Sequence, residues 1–144
     1  MSDSRMRVLA MPLPNLPSPF MQLLPSTNLE DLALAEELLS NNANSESLKN
    51  REELKTYILL RVGKKSLSAA LRGAIDICFT SNVLKHFSYR GKTKKKFIDL
   101  NLYSIIYEAM SGFISNANDE NTFHKVADNY IRHAPTSQPK KNDK

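Results

Sequence analysis

Leu67-Ser-Ala-Ala-Leu-Arg-Gly-Ala-Ile-Asp-Ile-Cys-Phe79 decides the fold. Leu67, Ala70, Leu71, Ala74, Ile75, Cys78 and Phe79 recur at three- and four-residue steps, the repeat of a helix that buries one face. Ser66 stands where an N-cap belongs, and Gly63 where a preceding helix ends in the left-handed region. No other stretch is as regular, so this helix should be the most buried. Gly73 inside it costs about 1 kcal/mol relative to Ala and suits a close helix crossing.

Working upstream, Thr27 and Glu30 read as a capping box for a helix running to about Ser40. Leu29, Leu32, Leu38 and Leu39, with Ala33 and Ala35, form its stripe, opposed by Glu30, Asp31, Glu36 and Glu37. Asn41, Asn42 and Asn44 break it. A second helix fits residues 46–62, with Leu54, Tyr57, Ile58 and Val62 inward.

Downstream, a short helical turn over 81–86 leads into a basic loop. Asn101 or Asp99 caps the next helix, whose face is Leu102, Ile105, Ile106, Ala109, Met110 and Phe113. A last helix over 120–133 turns Phe123, Val126, Ala127, Tyr130 and Ile131 inward, and Pro135 stops it. The fold class is all-α: a compact bundle of about five helices, with the basic loop between the third and fourth long ones. Leu71, Ile75, Phe79, Ile105, Ile106 and Tyr130 should be buried together.

Bulk composition fits. The 144 residues make about one domain, and no proline falls between Ser26 and Ala134. Residues 1–25 hold five of the seven prolines and read as a Pro-rich mobile leader, with Leu13, Leu16, Phe20, Leu23 and Leu24 available to dock. Residues 26–134 form the helical domain, and 135–144 a basic disordered tail. The single Cys78 cannot form an intrachain disulfide, which points to an intracellular chain, and its apolar surroundings make it a small buried hydrophobe. No apolar run reaches the roughly 18–20 residues a bilayer span needs. Pro12, Pro14, Pro17 and Pro19 interrupt the only candidate signal segment.

Charge is concentrated. Residues 63–97 carry 9 basic and 1 acidic side chains, against 6 and 8 before them and 5 and 6 after. The core of that segment is Phe87-Ser-Tyr-Arg-Gly-Lys-Thr-Lys-Lys-Lys-Phe97, and such a field calls for an anionic partner. Lys92, Lys94, Lys95 and Lys96 are point charges suited to phosphates and poor at reading bases. Arg90 is the one fork-shaped donor, able to reach a base edge or grip a phosphate. Tyr89 either stacks on a ligand or anchors the loop. Lys64, Lys65 and Lys85 complete the candidate nucleic-acid contacts. The competing readings are a nuclear-import signal over residues 92–96 and a merely solvated loop.

Sites for catalysis, cofactors or metals do not emerge. The loop glycines Gly63, Gly91 and Gly112 are isolated, and His86, His124 and His133 lack ligand spacing. Glu36-Glu37 and Glu52-Glu53 fall on polar helix faces, where solvated surface is the expectation. An enzyme is not expected.

The order of elements resembles a known family. A Leu24-Pro25 step and capped acidic-leucine helix precede a helix ending in Gly63-Lys-Lys, then a Leu71-to-Phe79 helix. A loop from Tyr89 to Phe97, a Leu100-to-Ile106 helix start and a closing helix to Arg132-His-Ala134 follow. This resembles the metazoan, mainly insect, domain of unknown function 4806, over about residues 23–134. The second half is more remotely similar to BEN domains, helical modules that bind DNA or mediate protein contacts. The resemblance implies a nuclear, non-enzymatic module whose partner is nucleic acid, DNA before RNA, or a chromatin protein. A protein-interaction or self-association domain is the alternative.

Overall fold

The structure, a computed structural model, describes residues 18–40 and 45–137. Leu13, Leu16, the 41–44 link and the tail beyond Ser137 lie outside the described residues. Among the described residues six helices form: α1 (Leu29–Leu39), α2 (Ser45–Val62), α3 (Leu67–Cys78), α4 (Ser81–Leu84), α5 (Asn101–Met110) and α6 (Ala117–Ser137). Short 3-10 turns cover Met21–Leu23, Phe97–Asp99 and Ser111–Phe113. The basic loop is not plain coil: β1 (Phe87–Ser88) pairs in parallel with β2 (Lys95–Lys96). The chain is a mostly helical bundle.

Its centre is α3, packed against α2, α5 and α6. Ser66 caps it through its Oγ, which accepts from Ala69 N at 3.3 Å. Ala70, Leu71, Ala74, Ile75, Cys78 and Phe79 are all buried, as the spacing requires. Burial pushes the Cys78 thiol far above its ordinary range, so it packs as an apolar group. Gly63 adopts φ +57° and ends α2. At Gly73 an added Cβ would sit 3.5 Å from Val62 Cγ1, an ordinary contact, so the α2–α3 crossing is close but does not demand glycine.

Several sequence expectations need correction. The cap of α1 is Asn28, whose side chain accepts from Asp31 N at 2.8 Å, while Thr27 stands one residue outside. Leu34 and Leu38 are exposed, and only Leu32, Ala35 and Leu39 of α1 are fully inside. Tyr57 is exposed, and Tyr130 is only half-buried, packed against the edge of the core. The Tyr130 hydroxyl donates to Asp76 Oδ1 at 2.6 Å at the protein surface, because a phenol seeks a polar partner that the apolar interior lacks. Pro135 does not stop α6, which continues to Ser137; losing one N–H leaves the preceding turns intact, with Phe123, Ala127, Ile131 and Ala134 buried along one face.

The domain also begins earlier than the prolines implied. Phe20 and Met21 are buried in the core, and Ser18 Oγ accepts from Met21 N at 3.2 Å. Ser26 then forms a backbone bridge beside Phe79, donating from N to Cys78 O at 3.0 Å and accepting Thr80 N at 3.1 Å. Residues 18–25 therefore belong to the folded unit.

One corner ties three helices together through side chains. Asn50 Nδ2 donates to Leu38 O at 3.1 Å and Arg51 Nη2 to Leu39 O at 3.0 Å, satisfying the last carbonyls of α1. Glu36 reaches the other way and accepts from Asn101 N and Leu102 N, each at 2.8 Å. It is this carboxylate, not Asn101 or Asp99, that caps α5; no side chain of the cap residue Leu100 does so. Glu36 is thus a half-buried joint and not solvated surface.

Burial raises the Glu36 carboxyl above its ordinary range, outweighing the two amides and Arg51, which pull it down. The folded chain then holds the proton more tightly than the unfolded chain, so this group's contribution to stability rises as pH falls through the interval between the two values. Glu36→Gln should remove that slope and, by weakening the cap, cost about 1–3 kcal/mol at neutral pH. Urea unfolding from pH 4 to pH 7 (on the order of one unit per step) checks both, and a variant with unchanged slope and midpoint would refute the joint.

Candidate nucleic-acid interface

The basic loop is built inward from its aromatics. Phe87, Tyr89 and Phe97 are buried, Tyr89 and Phe97 at 2% and 1% exposure. Strand alternation explains the split: with Phe87 and Tyr89 inward, Arg90 emerges into solvent. Phe97 packs against Phe79 with ring centroids 5.1 Å apart, and against Phe87 and Tyr103 at 6.0 and 5.9 Å.

Backbone bonds shape the rest. Lys95 N donates to His86 O at 3.2 Å and Ile98 N to Tyr89 O at 3.2 Å. Ser88 Oγ accepts from Thr93 N and Lys94 N at 3.4 and 3.3 Å. Gly91 has φ +76°, and a Cβ there would lie 2.8 Å from Lys96 Cβ and 3.3 Å from its Cα. Both the conformation and the close approach require glycine.

On this frame Lys92, Lys94, Lys95 and Lys96 are exposed, and among the described residues none has a carboxylate within ion-pair distance. Arg90 lies with its guanidinium 5.0 Å from the Tyr89 ring centroid. Lys85 follows α4, two residues before β1, and is exposed. Lys64 and Lys65 precede α3, whose 12 residues span about 18 Å, whereas the loop follows it in the chain. Lys65 instead lines a cleft of about 640 Å³ with Met21, Tyr57, Arg61 and Asp76. The candidate cations therefore fall into two groups.

Tyr89 anchors; it does not present its ring to a ligand. Its Oη lies 2.7 Å from His124 Nδ1 and 2.9 Å from Tyr103 Oη. His124 Nε2 is 3.3 Å from Glu120 Oε2, which accepts from the Tyr107 hydroxyl at 2.8 Å. Tyr89 has one proton for two partners, so in each of these contacts either atom can serve as the donor. Carboxylate, imidazole and hydroxyl stand in the order that activates a nucleophile. Burial first, then Tyr103, pushes the Tyr89 phenol well above its ordinary range, which is the opposite of activation. Burial likewise raises Tyr103.

Sequence reasoning missed three residues that matter here. Ser88 organises the loop, and nothing in its local sequence marks it. His124 was set aside for lacking metal-ligand spacing, although its partner is a phenol 35 positions away. Arg132, on α6, lines a cleft with Arg90 and Lys92; its only sequence signal is the Asp128 four residues earlier, with which it pairs at 3.5 Å. Among the described residues, no cluster of His, Cys, Asp or Glu is placed to hold a metal ion, and no helix is long and apolar enough to cross a membrane. Compared with known proteins, the chain matches no family model, no curated protein and no solved structure.

Proposed function

We propose that this chain is a non-enzymatic nuclear module that binds nucleic acid, or nucleic acid within chromatin, through phosphate contacts from the basic loop. One observation carries the reading: Lys92, Lys94, Lys95 and Lys96 stand exposed and unpaired among the described residues, on a loop whose three aromatics are buried. A rigid row of unneutralised cations suits a polyanion, and its value to binding comes from counterion release. Arg90 adds the loop's one fork-shaped donor, able to reach a base edge or grip a phosphate.

Titration against duplex DNA, single strands and RNA at two salt concentrations tests it. Four lysine contacts predict a log–log salt slope of roughly −3 to −4 on duplex DNA. Lys94, Lys95 and Lys96 replaced together by Ala should flatten that slope by about 3 and weaken every sequence equally. A triple variant that binds as before, yet no longer enters the nucleus, would reduce the loop to an import signal. No salt-dependent binding at low ionic strength would sink the reading.

A second reading has its own observation. Leu34, Leu38, Leu48, Leu59 and Leu60 are exposed, Leu60 at 76%. Leu29, Leu32, Phe87 and Leu100 also line a cleft of about 350 Å³ beside Lys95 and Lys96. Such surface favours a protein partner or a second copy of the chain. Sedimentation of the purified chain across a concentration series separates self-association from a monomeric binder.

A further inference from the structure

The basic loop does not face solvent on all sides. Between it and α6 lies a cleft of about 340 Å³, bordered by Ser88, Arg90, Lys92, Thr93, Asp128 and Arg132. Three cations face one carboxylate there, so the cleft has formal charge of one sign in excess. Its two arginines come from different elements, and each has one partner within the protein. Arg90 rests over Tyr89, itself fixed by Tyr103 and His124. Arg132 is held by Asp128 one turn back on α6, a helix anchored through the buried Phe123, Ala127 and Ile131. Ser88 Oγ already accepts two loop amides, which leaves its proton free to donate into the cleft.

The geometry points to a phosphate subsite in this cleft, where Arg90 and Arg132 together hold one backbone phosphate of the bound nucleic acid. Lys92 and the hydroxyls of Ser88 and Thr93 supply the remaining donors. Guanidinium forks match phosphate oxygens in pairs, a geometry that the point charges of lysines cannot supply. The inference rests on the nucleic-acid reading and adds to it a contact from outside the loop. It also fixes where a strand must pass: over the loop–α6 cleft first, then along Lys94, Lys95 and Lys96. Asp128 opposes the ligand's charge, so binding must draw Arg132 away from it. Nothing in the local sequence marks Arg132 as a neighbour of Arg90; the fold brings both to one cleft.

Two measurements on the full chain test the subsite. In the first, the arginine side-chain Nε–H signals of the labelled protein are followed as inorganic phosphate replaces chloride at constant ionic strength. Arg90 and Arg132 should move along one binding curve, while Arg61, exposed on α2, stays in place. In the second, Arg132→Ala, an exposed position that leaves the core untouched, should weaken duplex DNA binding about 10- to 100-fold and reduce the salt slope by about 0.9. Asp128→Asn should do the reverse and tighten binding. Arg132→Ala with an unaltered slope overturns the subsite even where the lysine triple variant establishes nucleic-acid binding. If the unaltered chain binds no nucleic acid, the phosphate titration decides: concerted movement of both arginines keeps the anion site and ends the nucleic-acid reading. Arginines that respond no more than Arg61 end both.

Discussion

Phe97→Ala should lower the stability of the domain by about 3–5 kcal/mol and unseat the basic loop together with it. Phe97 is 1% exposed and lies where loop and core meet. Its ring contacts Phe79 from α3, Phe87 from β1 and Tyr103 from α5. Aromatic pairs add about 0.5–1.5 kcal/mol each beyond area burial, so the loss belongs at the upper end of the range. The residue also starts the 3-10 turn that delivers Ile98 N to Tyr89 O. Denaturant unfolding measures the stability, and amide exchange at Thr93, Lys94 and Lys95 reports the loop. Phe97→Leu, which keeps most of the volume, should recover more than half of the loss. A deficit below about 1 kcal/mol for the Ala variant would show that the loop is an appendage and not part of the core.

Phe20→Ala should be comparably damaging, at about 3–5 kcal/mol. Phe20 is 1% exposed, in a segment whose prolines make it look dispensable. Its neighbour Met21 is buried beside it, and Ser26 continues the attachment through backbone bonds to Cys78 and Thr80. Removing residues 1–20 should cost at least as much as the single substitution. Thermal unfolding of the two variants decides the matter. If Phe20→Ala melts with the unaltered chain, residues 18–25 are a leader after all.

The elements that could be read from sequence were those with a local repeat. The α3 face was legible residue by residue because its apolar positions and its Ser66 cap lie within one short stretch. The inner face of α5 was legible for the same reason. The face of α1 was not: leucine or alanine occupies Leu29, Leu32, Ala33, Leu34, Ala35, Leu38 and Leu39, so several stripes fit equally well. Glu36 was misread because the amides it caps are 65 and 66 positions away, and a helix wheel assigns any glutamate to water. Phe20 reads from sequence only as a residue able to dock, because proline content speaks to backbone freedom and says nothing of where one aromatic ring goes. At the candidate site, the lysines were legible as composition. Arg132 and the Tyr89–His124 contact were not, since both depend on α6 returning to the loop.

The seating of Gly91 against Lys96 has a consequence for how any partner is met. A contact loop that becomes ordered only on association loses about 1–2 kcal/mol of backbone freedom per residue at that moment. Here the turn at Gly91, the Ser88 bonds to Thr93 and Lys94 and the buried ends at Phe87 and Phe97 order the backbone as the domain folds. That entropy loss is therefore borne by folding and is absent from the binding equilibrium. A partner meets Cα positions for Lys92, Lys94, Lys95 and Lys96 that are fixed before encounter. Only the side chains remain to settle, so selectivity would arise from how well an anion's own spacing matches a stencil it cannot bend.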